Sequence, residues 1–209
     1  MNDTNDINDM NHMNNKRNIE TICIGLTGRM GCGKGEVVHI LKELGYTYTS
    51  LSDIVREEAA KLGREVTREE TQNIGNGLRR EGGAGVLGKR IREKIESAAP
   101  ESLKWVIDGV RNPAEVLELK KLNAFYLLGI DADLDLIIER IKLRRRGTDS
   151  LDDNEIKKRM DREWGIGEPE DGQQVGKCMN MADFIIRNNN GLDQLKIEIV
   201  TVLDRIGTK

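Results

Sequence analysis

Apolar segments and helical repeats alternate along the chain, which is the pattern of a parallel sheet in an α/β protein. The segment TICIGL is a short, continuous, β-branched run, typical of a strand buried on both faces. Four further segments, YTYTSL, KWVIDGV, AFYLLGIDA and DFIIRN, predict the other strands. The last helix is predicted from apolar residues at three- and four-residue steps: Leu192, Leu195, Ile199, Val202 and Ile206. The sequence therefore predicts a five-stranded parallel sheet with helices on both faces.

Capping residues predict where several helices begin. Ser52 or Asp53 is expected to cap the helix DIVREEAAKLG, and the spacing of Thr67 and Glu70 matches a capping box. Another helix is predicted from about Asp152 to Trp164. The polar region REVTREETQNIGNGLRREGGAGVLGKRIREKIES is rich in glycine, which predicts small helices joined by mobile turns; these glycines are Gly75, Gly77, Gly82, Gly83, Gly85 and Gly88.

Composition narrows the class of protein. Residues 1–18 are rich in Asn and Asp and have little to bury, so we expect a disordered tail there. The net charge is −3, which argues against broad nucleic-acid or membrane binding. The chain has no apolar run long enough to span a bilayer and no signal-peptide hydrophobic region near its first residue. Its three cysteines are scattered without metal-ligand spacing, so we expect reduced thiols in a cytoplasmic protein.

The segment IGLTGRMGCGKGEVV carries the pattern G-x-x-x-x-G-K, from Gly28 through Gly33 to Lys34. It lies between a predicted strand and a predicted helix, as a phosphate-binding loop requires. Glycines let backbone N–H groups turn toward an anion, and the helix N-terminus adds partial positive charge. Lys34 would reach the outer phosphates. The candidate nucleotide-binding residues are Gly28, Met30, Gly31, Cys32, Gly33, Lys34, Gly35 and Glu36.

Magnesium needs a ligand outside this loop, because Gly35 stands where a Ser or Thr hydroxyl is common. Asp108 follows a buried strand in VIDGVRNP and should emerge beside the loop. A carboxylate there can hold Mg²⁺ directly or through water. We expect Asp108 to be the main protein anchor of the metal.

Arginines cluster at the same edge of the predicted sheet. Arg56 follows the second strand, Arg111 follows the turn at Gly109, and Arg79 and Arg80 lie in the glycine-rich region. Arginine binds phosphate bidentately, so several converging on one site would neutralise a second, phosphate-bearing substrate.

The densest basic cluster is ERIKLRRRGTDSLDDNEIKKRMDREW. Arg140 and Arg144 are four residues apart and share a helix face, and Arg159 and Arg162 share a face of the next helix. Two arginine-lined helices joined by a short polar hairpin predict a lid over residues 144–153. Closed, this lid would supply positive charge to a transferring phosphoryl group.

The motifs GRMGCGKG, LSDIVREE, VIDGVRNP, RRRGTDSLDD and ADFIIRNNNGLDQL together resemble a nucleoside-monophosphate-kinase-like P-loop family. This group includes adenylate kinases, deoxynucleoside monophosphate kinases and dephospho-coenzyme A kinases. The resemblance covers residues 20–206 and implies a three-layer P-loop NTPase fold. It also implies a kinase-like domain over 19–209, an acceptor-binding helical insertion at 53–100 and a short lid.

The resemblance implies roles for individual residues. Lys34 and the loop would bind ATP phosphates, with Mg²⁺, and Lys34 would act in catalysis with the lid arginines Arg146, Arg159 and Arg162. Arg56 and Arg111 would hold the acceptor phosphate. Together with the residues selected above, the candidate acceptor-binding residues are Asp53, Arg56, Arg80, Asp108 and Arg111. The leading hypothesis is ATP-dependent phosphoryl transfer to a (deoxy)nucleoside monophosphate or similar nucleotide. Two alternatives stay open: a dephospho-coenzyme A kinase, with Asp53 as the plausible base, and a non-catalytic ATP-binding regulator.

Overall fold

The five predicted strands form one parallel sheet. The computed structural model describes residues 21–64, 67–98, 103–144 and 152–207. The strands are β1 (Ile22–Thr27), β2 (Thr47–Ser50), β3 (Lys104–Asp108), β4 (Ala124–Asp131) and β5 (Phe184–Arg187). Their order is β2-β3-β1-β4-β5, and every neighbouring pair is parallel. The predicted α/β fold is confirmed, whereas the predicted tail at 1–18 lies outside the described residues.

Helices connect the strands and cover both faces of the sheet. Those within the described residues are α1 (Lys34–Glu43), α2 (Leu51–Lys61), α3 (Arg68–Gly82), α4 (Val86–Ala98), α5 (Pro113–Leu119), α6 (Leu134–Arg144), α7 (Asp153–Trp164), α8 (Val175–Asn180) and α9 (Leu192–Arg205). None of these helices combines the length and apolar character needed to cross a bilayer.

The sheet separates two hydrophobic clusters, because side chains alternate along each buried strand. On β1, Ile24 packs into the cluster that includes α1, α6 and α9, whereas Cys23 packs into the one that includes α2, α4 and α5. On β4, Leu128 packs into the same cluster as Ile24, and Leu127 packs into the same cluster as Cys23. This three-layer arrangement places the carboxyl ends of β1, β3 and β4 at one edge, where the candidate site lies.

Two local predictions were wrong. The cap of α2 is Ser50, whose hydroxyl accepts a hydrogen bond from the Ser52 backbone N–H, so Ser52 and Asp53 lie inside the helix. Gly75, Gly77 and Gly82 lie within the 15-residue helix α3 and do not form turns. The Thr67 cap of α3 and the Asp152 cap of α7 are confirmed.

A buried ion pair joins α3 to α5. Arg79 donates from Nε and Nη2 to Glu115 Oε1, at 2.9 and 2.7 Å, and both side chains are almost fully buried. The other oxygen of Glu115 accepts from the backbone N–H groups of Arg111 and Asn112, at 2.8 and 3.0 Å. Helix α4 also contacts α5 closely, since a Cβ on Gly88 would lie 2.7 Å from the Glu115 carbonyl oxygen. Arg79 is therefore a structural residue, and the acceptor-binding role considered for it is not supported.

Candidate active site

The loop between β1 and α1 is held closely on both sides. Gly28 and Gly33 have φ angles of 138° and 103°, in the region that favours glycine. A Cβ on Gly28 would lie 2.0 Å from the Ile130 carbonyl oxygen, and one on Gly33 would lie 2.1 Å from Asn188 Nδ2. Asn188 also donates a hydrogen bond of 3.0 Å to the Cys32 carbonyl oxygen. The ends of β4 and β5 thus fix the path of the loop.

Lys34 lies at the start of α1 with its side chain folded over the loop. Its Nζ donates to the carbonyl oxygens of Gly28 and Arg29, at 2.6 and 2.9 Å. Burial raises the pKa of the neighbouring Cys32 thiol, so Cys32 is a neutral thiol and contributes its backbone to the loop. The Lys34 ammonium is thus held against the loop backbone, where the sequence predicts a phosphate-binding lysine.

Gly33 and Gly35 give a matched pair for testing the loop. A Cβ on Gly35 would meet nothing within 4 Å, so we expect Gly35→Ser to fold and bind nucleotide like the unmodified protein. Gly33→Ser combines an unfavourable backbone conformation with a clash against Asn188, and we expect it to cost about 2–4 kcal/mol of stability. Thermal denaturation and calorimetric titration with ATP check both variants. Equal melting temperatures for the two variants would contradict this description of the loop.

Asp108 ends β3 and fits a magnesium ligand. It pairs in register with Ser50 of β2 and lines the same cavity as Lys34. Its Oδ1 is buried and has no hydrogen-bond partner among the described residues, which leaves a hard oxygen available to a cation. The described ranges contain no cluster of three or more His, Cys, Asp or Glu side chains that could hold a metal alone. A metal at Asp108 would therefore need further ligands from phosphate or water.

Two cavities meet at the carboxyl edge of the sheet. The larger, of about 810 Å³, runs along the loop and contains Lys34, Asp108, Arg140, Arg144 and Asn188. Arg140 and Arg144 share this cavity, as their spacing predicted, and Arg140 Nη1 is buried without a partner in the described part of the chain.

The smaller cavity, of about 360 Å³, lies between α2, α3 and α7. Its cationic lining comprises Arg56, Arg111, Lys158, Arg159 and Arg162. Arg162 donates from Nε to Glu168 Oε1 at 2.8 Å, which fixes its guanidinium on the wall of the cavity. Its size and charge suit a compact anionic ligand.

Four residues line both cavities: Met30, Arg56, Arg111 and Glu163. Arg56 pairs with Asp53 on α2, and Arg111 Nε lies 3.4 Å from Glu163 Oε1. Ligands in the two cavities would therefore meet at a boundary that carries two arginines. Ligands bound in this way would be adjacent, as transfer of a group between them requires.

Not every predicted site residue is brought to this boundary. The structure places Arg80 on the exposed side of α3, outside the lining of both cavities. Glu36 is exposed and lines the larger cavity. Arg146 and most of the predicted lid lie outside the described residues. Sequence reasoning did not select Glu163 or Asn188. Asp108 was selected because it follows a buried strand at the carboxyl edge of the sheet. Asn188 directly follows β5, so the same argument would have selected it.

The parallel sheet, the glycine loop with Lys34 and the paired cavities define a P-loop protein with a kinase-like fold. A family model described as "AAA domain" matches residues 27–157. A UPF0200 protein of Pyrococcus abyssi is 31% identical over 184 residues, covering 87% of this chain and 95% of the relative. The chain belongs to the UPF0200 family. A UPF0200/UPF0201 protein of Archaeoglobus fulgidus is 33% identical over 189 residues, and the match spans 88% of this chain but only 56% of that relative.

Solved structures with low sequence identity share the fold. The crystal structure of TT1252 from Thermus thermophilus has a TM-score of 0.57 at 19% identity, covering 89% of this chain and 98% of that one. Shikimate kinase from Acinetobacter baumannii, in complex with shikimate, has a TM-score of 0.55 at 17% identity, covering 91% and 98%. These similarities establish the kinase-like architecture.

Proposed function

We propose that the protein transfers the γ-phosphoryl group of ATP to a (deoxy)nucleoside monophosphate or a similar nucleotide. The observation that carries this proposal is the meeting of two cavities at Met30, Arg56, Arg111 and Glu163. One cavity has a phosphate-binding loop and the other is lined by cations. Such a pair suits a phosphate donor and an anionic acceptor better than a single bound ligand.

The larger cavity would hold ATP. Loop N–H groups and Lys34 would bind its phosphates, and Lys34 would exchange its carbonyl partners on the loop for phosphate oxygens. Asp108 would anchor Mg²⁺, which, when bound, neutralises charge on the outer phosphates. Arg140 and Arg144 add positive charge to the same cavity.

The smaller cavity would hold the acceptor. Arg56 and Arg111 would bind its phosphate at the boundary, and Arg159 and Arg162 would approach the transferring group from α7. In the reaction an acceptor phosphate oxygen bonds to the γ-phosphorus as the bond to the β–γ bridging oxygen breaks, releasing ADP. The protein's part in this step is positioning and electrostatic stabilisation.

The cysteines support a cytoplasmic location as part of this proposal. Cys23, Cys32 and Cys178 are all free and buried. Burial raises the pKa of the Cys23 and Cys178 thiols to about 12. Neutral, unpaired thiols suit a reducing compartment.

An acceptor-dependent ADP-release assay tests the proposal. The purified protein is incubated with Mg²⁺, ATP and each of the ribo- and deoxyribonucleoside monophosphates, and separately with dephospho-coenzyme A. We expect one or a few mononucleotides to accelerate ADP release. A response to dephospho-coenzyme A alone would replace the proposed acceptor, and ATP binding without acceptor-dependent release would favour a regulatory role.

Arg56 and Arg111 should determine the affinity for the acceptor. Replacing either with Ala removes one charged hydrogen-bond partner, which costs on the order of 1.5–3 kcal/mol. We therefore expect the acceptor KM to rise roughly 10- to 150-fold, with the KM for ATP nearly unchanged. Steady-state kinetics with each substrate varied separately checks this result.

Arg80→Ala is the matched comparison for these variants, because Arg80 is an exposed arginine outside both cavities. We expect it to leave both KM values unchanged. A similar rise in acceptor KM for Arg80→Ala would show that Arg80 also contributes to acceptor binding. Equal effects of Arg56→Ala and Arg111→Ala on both substrates would refute their assignment to the acceptor.

A further inference from the structure

Glu163 is a buried carboxylate between the two cavities. It lies in the last turn of α7 and only 6% of its surface is exposed. Its Oε2 accepts a hydrogen bond of 2.6 Å from the Met30 backbone N–H, in the phosphate-binding loop. Its Oε1 lies 3.4 Å from Arg111 Nε. One side chain thus contacts both the phosphate-binding loop and an arginine at the boundary of the two cavities.

The end of α7 is fixed in place, so Glu163 is held at this boundary. The Arg29 guanidinium lies 3.5 Å from the centroid of the neighbouring Trp164 ring. On the other side, α8 packs against the same ring at Gly176, where a Cβ would lie 2.7 Å from Trp164. Gly165 then ends the helix in a left-handed conformation, with φ of 106°. These contacts restrain the carboxylate between the loop and Arg111.

A buried carboxylate is unfavourable unless hydrogen bonds and opposite charge compensate it. Here the compensating partners are the Met30 backbone N–H of the loop and the Arg111 guanidinium that follows β3, and both residues line the boundary of the two cavities. An arginine that pairs through Nε keeps its terminal nitrogens for bidentate binding of an anion. The contact with Glu163 can therefore orient Arg111 without occupying its whole guanidinium.

We propose that Glu163 is a positioning residue that orients Arg111 toward the acceptor and ties it to the donor loop. This inference rests on the proposed phosphoryl transfer. Glu163 acts through Arg111, so its loss should affect acceptor binding and should have no effect where Arg111 is already absent. A carboxylate that merely stabilised the fold would not show this dependence.

A double-mutant cycle tests the proposal. Glu163→Gln keeps the shape and a hydrogen-bond acceptor for Met30 but removes the charge that faces Arg111. We expect it to raise the acceptor KM about tenfold while the KM for ATP stays the same. In the Arg111→Ala background we expect no additional rise. Glu163→Asp, which keeps the charge, should recover part of the loss.

Asp161→Asn is the control, since Asp161 is an exposed carboxylate on the same helix outside both cavities. It should change neither KM. An equal effect of Glu163→Gln with and without Arg111 would overturn the proposal. A lower KM for ATP in Glu163→Gln would also overturn it, because the carboxylate would then be competing with nucleotide phosphate at the loop.

The contact itself can be measured without turnover or substitution. In ¹H–¹⁵N spectra of the unmodified protein, we expect slow solvent exchange of the Met30 amide proton, because it is bonded to a buried carboxylate. If this proton exchanged as fast as a solvent-exposed amide without a hydrogen bond, the proposal would be overturned, even if the Gln variant did not fold. Absence of any acceptor-dependent ADP release by the unmodified protein would instead refute the proposed function.

Discussion

Lys34→Ala is expected to abolish turnover while leaving the thermal transition nearly unchanged. The Lys34 ammonium lies against the loop, and transfer of a phosphoryl group depends mainly on charge stabilisation. Removing one such group should lower kcat by at least ~100-fold. Its carbonyl contacts in the loop are partly exposed, so their loss should change stability little. Rapid-mix ADP-release kinetics and thermal denaturation measure the two effects.

Lys94→Ala is a matched control, because Lys94 is an exposed lysine on α4 outside both cavities. It should retain full activity and the same melting temperature. Undiminished turnover in Lys34→Ala would remove the kinase hypothesis. A large fall in melting temperature would show that Lys34 supports the loop structurally, and the loss of activity would then need another explanation.

Asp108→Asn is expected to weaken magnesium-dependent turnover far more than binding of metal-free ATP. The loop offers magnesium no side-chain hydroxyl at Gly35, whereas the buried Oδ1 of Asp108 is free to bind a cation. Magnesium keeps several waters and needs few protein ligands, so one carboxylate can act as its main anchor. Asn preserves the shape and removes the charge. Turnover should then require roughly tenfold more magnesium, the factor expected for a lost metal-site contact.

Magnesium titrations of turnover, with calorimetric titration of ATP in the absence of metal, separate the two effects. Asp53→Asn is a suitable comparison, because Asp53 is a carboxylate at the same edge of the sheet but is paired with Arg56. It should leave the magnesium response unchanged. If Asp108→Asn also leaves it unchanged, the metal binds elsewhere and the assignment of Asp108 is wrong.

The sequence predicted the centre of the sheet well because most residues of β1 and β3, and the second half of β4, are buried. Continuous apolar runs such as those of β1 and β4 have few alternative structures, and the glycine loop fixes the first strand–helix connection. Short elements were harder. Helix α5 was missed, although Pro113 at its first turn and the Asn112–Glu115 capping box are readable signals. Helix α8 has no side-chain cap, so less in the sequence marks its start.

Site residues could be predicted where a local rule exists. Lys34 follows a recognisable loop and Asp108 follows a buried strand, so local rules selected both residues, and both line the larger cavity. Glu163 stands in the charged segment DREWG, where one carboxylate cannot be told from its exposed neighbours. What distinguishes it is a tertiary contact with Met30, 133 positions away. Arg79 was considered for the site but is structural. Its burial against Glu115 depends on how α3 packs on α5, which the sequence alone does not reveal.

The Arg79–Glu115 pair has a consequence for how the protein can close around its ligands. Separating two buried, paired charges costs about 3–5 kcal/mol, and Glu115 also holds the backbone of Arg111. The backbone of Arg111, which lines the smaller cavity, is therefore preorganised by this buried pair. Little binding energy is lost in assembling it. The part of the site that Glu115 and Arg111 hold should then move little as the protein closes, and an acceptor should find that part already formed before ATP arrives.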